Sequence, residues 1–65
     1  MILYAVATAM RRDGDVKAVL TFETATSQEK AVKQTWDDGL WSERKLGWVV
    51  ICSEAQPLPV RGDEP

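Results

Sequence analysis

The chain has no histidine and one cysteine, Cys52, among its 65 residues. Those two shortages exclude a Ser-His-Asp triad, a Cys-His nucleophile pair, a thiolate and imidazole zinc site and an internal disulfide framework. Three prolines and four glycines are too few for a collagen-like or low-complexity chain. Neither sign of charge prevails: eight lysines and arginines stand against ten carboxylates, for a net charge of −2. A one-signed basic footprint for nucleic acid is therefore missing. No apolar run approaches the ~20 residues a bilayer-spanning helix needs. The longest, from Ile2 to Met10, is followed rather than preceded by Arg11-Arg12, the reverse of a secretory signal. The expectation is a cytoplasmic protein whose lone thiol stays reduced.

What is present suits a small globular domain, with 45% apolar and 28% charged residues. A chain of ~60 residues buries only about 60% of the surface its unfolded form exposes, so help from an oligomer is expected. Residues 2–10 are rich in apolar, β-branched and aromatic types, and Asp13-Gly14 follows them as a hairpin signal. Residues 16–24 alternate, with Val16, Ala18, Leu20 and Phe22 on one side and Lys17, Val19, Thr21 and Glu23 on the other. This period of two predicts a strand with one buried face. Thr26 and Glu29 have the spacing of a capping box, which predicts a helix from Ser27 to Asp37 stopped by Gly39. Ala31, Val32, Thr35 and Trp36 form its apolar stripe. Residues 40–46 read as a loop with room for one helical turn, and Trp48–Ser53 as a third strand, apolar on both faces.

The predicted architecture is α+β, ββαβ: a three-stranded sheet of order 2-1-3 with one helix packed on one face. Strand one is central because it is apolar on both sides. Residues 1–56 form the single domain, and residues 57–65 an extended, proline-rich tail. The helix is expected on the face of Val16, Ala18, Leu20 and Phe22, where Ala5, Ala7 and Ala9 would admit it closely. The opposite face would then hold Tyr4, Val6, Met10, Val19 and Val49 or Val50. That is more apolar area than an isolated domain leaves in water, and Trp41, Leu46 and Leu58–Val60 are the chain's own segments able to cover it.

No residue pattern marks a catalytic centre, a cofactor or a metal. Asp13, Asp15, Asp37 and Asp38 match no calcium loop. Cys52, in an apolar strand, reads as a buried, inert thiol. Arg61-Gly62-Asp63 matches an adhesion tripeptide that matters only outside the cell. The hairpin turn, the helix end and the loop before strand three should meet at one end of the domain, forming a rim of mixed charge. The functional expectation is a non-enzymatic protein-binding module that self-associates, of the accessory or inhibitory kind found in phages. Its docking residues would be Tyr4, Val6, Met10, Val19, Trp41, Arg44 and Lys45, with Trp41 as anchor. The alternative is a nucleic-acid binder that uses Arg11, Arg12, Arg44 and Lys45.

Overall fold

The computed structural model describes residues 1–59. Val60 and the Arg61-Gly62-Asp63 tripeptide, and with them most of the expected tail, lie outside the described residues. β1 (Ile2–Arg12) and β2 (Asp15–Ala25) form a long antiparallel hairpin, closed where Arg12 pairs with Asp15. The turn falls on Asp13-Gly14 as expected, but the strained backbone does not. Asp13 carries the left-handed φ of 55°, a conformation that short polar side chains tolerate.

α1 (Gln28–Gln34) is capped by Ser27, whose hydroxyl accepts the N–H of Lys30 at 3.2 Å. The cap therefore sits one residue later than the Thr26 box predicts. The helix does not stop at Gly39. It widens into a π-helical turn over Thr35–Gly39, closed by Leu40 N–H donating to the Thr35 carbonyl at 2.8 Å. The helical turn allowed for in the segment before strand three is present as a short helix, α2 (Trp41–Lys45). The wider turn lets Thr35 and Leu40 both point inward, and both are fully buried. Gly47, at φ 94°, is the glycine that ends the helical segment.

β3 (Val49–Pro57) starts one residue after Trp48 and runs past the expected strand end at Ser53. It takes Pro57, assigned above to the tail, into the sheet, and Leu58 N–H still donates to the Leu3 carbonyl at 2.9 Å. The sheet order is β2-β1-β3, with β1 antiparallel to both neighbours. One bulge interrupts β3 at Ile51, where the register shifts between Ala9 and Met10.

The covered face is the reverse of the one expected. α1 and the π turn lie over Tyr4, Val6, Thr8 and Met10, all buried, together with Ala25, Ala31, Thr35, Leu40 and Ala55. The docking residues Tyr4, Val6 and Met10 are thus core, and Val19 is half-buried on the same side, opposite Thr8. The reason lies in the central strand. A single helix sits over the middle of a three-stranded sheet, so β1 decides which face gains most. Tyr4, Val6 and Met10 offer far more apolar area than Ala5, Ala7 and Ala9, at about 2 kcal/mol for each large side chain fully buried.

Polar groups beneath the helix are paired. Trp36 Nε1 donates to Ser53 Oγ at 2.9 Å, and Ser53 shares a hydrogen bond with the buried Thr8 hydroxyl at 2.8 Å. Thr35 shares one with Thr21 at 2.9 Å. Two glutamines of α1 reach opposite edges of the sheet: Gln28 Nε2 donates to the Ala55 carbonyl and Gln34 Nε2 to the Thr24 carbonyl, each at 3.0 Å. The helix is thereby fixed across the sheet, and one carbonyl on each outer strand is satisfied.

Candidate functional site

The uncovered face is built by alternation. The register sets Phe22 beside Ala5, Leu20 beside Ala7, Ala18 beside Ala9 and Val16 beside Arg11 on β2 and β1. On the other flank β3 places Gln56 beside Ala5, Glu54 beside Ala7 and Cys52 beside Ala9. Val16, Leu20 and Phe22 are 67%, 61% and 58% exposed, and Leu3 adds a further exposed side chain at the far end of β1. The relief follows from side-chain size. A ridge of large apolar groups on β2 borders a trough floored by the alanines of β1, and β3 closes the trough's other side with the polar Gln56 and Glu54 along one half and the exposed Val49, opposite Arg11, near the hairpin end.

Sequence reasoning grouped Val16, Ala18, Leu20 and Phe22 with Ala5, Ala7 and Ala9 correctly but placed them under the helix. The signal that distinguishes the faces is the bulk of the central strand's two sides, which the sequence does contain. Cys52, expected to be buried from its apolar strand, is exposed, because its edge strand turns it away from the helix.

The other expected site residues scatter. Trp41 is exposed, and Lys45 Nζ lies 4.4 Å from its ring centroid, so these two neighbours of α2 form one feature. Arg44 donates to the Trp36 carbonyl at 2.9 Å and belongs to the helical junction. Arg12 donates to the Leu46 carbonyl at 3.1 Å and stacks on Trp48 at 4.8 Å. Lys17 also lies on the Trp48 ring, 4.5 Å from its centroid, and its ammonium is 3.7 Å from Glu43. The hairpin and the segment before β3 do meet at one end, as the topology requires. Their basic groups are spent on carbonyls, an indole and a carboxylate. Arg11 alone among the proposed nucleic-acid residues stands apart, at the hairpin end of the uncovered face.

Two grooves flank the outer edge of β3. One, of about 750 Å³, runs between Trp36, Arg44 and Trp48 and the strand from Val49 to Ser53. The other, of about 520 Å³, lies between Gln28, Glu29 and Val32 and the strand from Ser53 to Gln56. Among the described residues no three histidine, cysteine or carboxylate side chains converge as metal ligands, and no helix is long and apolar enough to cross a membrane. No protein-family model matches the chain, and no curated protein or solved structure is significantly similar to it.

Proposed function

We propose that this chain is a small, non-enzymatic docking protein of the cytoplasm, which binds another protein through the uncovered face of its sheet. The observation that carries this reading is the exposure of Val16, Leu20 and Phe22 side by side with the alanine trough of β1. A contiguous apolar patch of this kind on a soluble domain marks an interaction surface. Its composition fits an interface core, where aromatic and aliphatic groups dominate and charge is depleted. Trp41 with Lys45 lies outside this face and serves as a secondary contact in the reading.

The nucleic-acid alternative ranks second. Phosphate binding through Arg12, Arg44 and Lys45 would break the contacts these side chains make within the chain. Retention on single- or double-stranded nucleic acid at low salt, lost as salt rises, would support it.

A direct test of the docking reading uses the immobilised chain as bait beside its Leu20→Asp variant, together with a fluorescent hydrophobic dye. Dye uptake and protein capture by the parent, both lost in the variant while its circular dichroism is unchanged, support the reading. Equal dye uptake and equal capture by the two would refute it.

A further inference from the structure

The partner on this face follows from its relief. Resting on the docking reading above, we infer that the sheet binds a second copy of this chain, each β2 ridge lying in the other's alanine trough. A ridge and a trough side by side on one surface are self-complementary. A twofold axis running parallel to the strands, between β1 and β2, sets Leu20 of one copy over Ala7 of the other and Phe22 over Ala5, and the same contacts recur by symmetry. Large side chains then meet small ones across the interface, as facing layers of a sheet sandwich require.

Charge selects this axis over the other candidate. On β1 and β2 the face carries Arg11 alone, at its hairpin end, and Glu54 stands on β3 beside Ala7. With the axis between β1 and β2, both copies of β3 lie outside the overlap, and Glu54 and Gln56 remain in water. A twofold axis perpendicular to the strands would instead lay ridge on ridge, and at the level of Ala7 it would oppose Glu54 to Glu54 of the other copy. Two long strands give a patch of roughly 35 Å by 10 Å from the usual strand rise and spacing. Two such faces, with their side-chain relief, bury on the order of 800 Å², the range of a weak, transient contact rather than a standard interface. The expected complex is a dimer that dissociates on dilution.

Sedimentation equilibrium over a concentration series tests this on the chain itself and on three variants. Ala7→Trp fills the trough on a side chain that is exposed in the single chain, Leu20→Asp puts a charge on the ridge, and Glu54→Lys alters the wall left outside the overlap. Circular dichroism and thermal melting check that each variant folds. The inference expects a concentration-dependent dimer, weakened roughly tenfold or more by Ala7→Trp and by Leu20→Asp and left unchanged by Glu54→Lys. A dimer indifferent to both Ala7→Trp and Leu20→Asp would overturn it, since another surface would then be at work. So would a dimer changed by Glu54→Lys as strongly as by Leu20→Asp. A parent that stays monomeric at the highest concentration also overturns it. In that case the hydrophobic dye separates the two readings: uptake lost in Leu20→Asp preserves docking on a different protein, and no uptake by the parent removes docking as well.

Discussion

Leu20 and Ala7 stand directly opposite each other on neighbouring strands, both exposed on the side of the sheet away from the helix. One residue rotated through the register, Thr21 and Val6 face the helix instead, and Val6 is fully buried. The two faces of one hairpin therefore do different work: one supplies the core, and the other presents a surface with no cover from its own chain among the described residues.

The core face sets the stability. Met10 is fully buried beneath the helical segment, and Met10→Ala should cost about 2–5 kcal/mol. For so short a domain that is a large share of the total. Urea unfolding should show a much lower midpoint, or a chain already unfolded in water. Leu20→Ala, on the uncovered face, should change the monomer's midpoint little.

The threonine pair beneath the π turn should behave as a unit. Thr35→Val leaves the Thr21 hydroxyl without its 2.9 Å partner and should cost about 1 kcal/mol. Adding Thr21→Val should cost less than the two single changes summed. A double-mutant cycle in urea measures the coupling directly, and strict additivity would show that the hydroxyls do not interact.

The two turn glycines should differ in their response to alanine. Gly47 holds φ at 94°, so Gly47→Ala should destabilise by about 1 kcal/mol or more. A Cβ on Gly14 meets nothing within 4 Å, and the left-handed residue of that turn is Asp13. Gly14→Ala should be close to neutral, although the Asp-Gly pair reads as the stronger turn signal. Paired thermal melts decide the comparison.

Cys52 should react with a thiol reagent in the native protein about as fast as in urea, because its side chain is exposed. It should stay reactive in the self-associated form, since β3 lies outside the proposed overlap. Protection of Cys52 at high protein concentration would place β3 inside the interface.

Much of this architecture is legible in the sequence. The alternation from Val16 to Phe22, the Asp-Gly turn and the doubly apolar β1 are enough for a three-stranded sheet of order β2-β1-β3 with a helix on one face. Alternation divides side chains into two groups but says nothing about which group the helix covers. That choice depends on area summed over the central strand, where Tyr4, Val6 and Met10 outweigh three alanines. The π turn was not legible either. It inserts one residue into the helical spacing so that Thr35 and Leu40 both reach the core, and Gly39 looks like an ordinary stop signal until Leu40 N–H is seen donating to Thr35. The bulge at Ile51 likewise has no local marker such as glycine.

The central claim is that the Leu20 and Ala7 face is open in the single chain and free to receive a protein. Methyl NMR of the full chain with a soluble paramagnetic agent measures it most directly. The account predicts strong relaxation of the Leu20 and Ala7 methyls in dilute solution and protection as concentration or a bound partner rises, with the Val6 methyls shielded throughout. Leu20 and Ala7 methyls shielded at every dilution, covered by the chain's own residues, would contradict it.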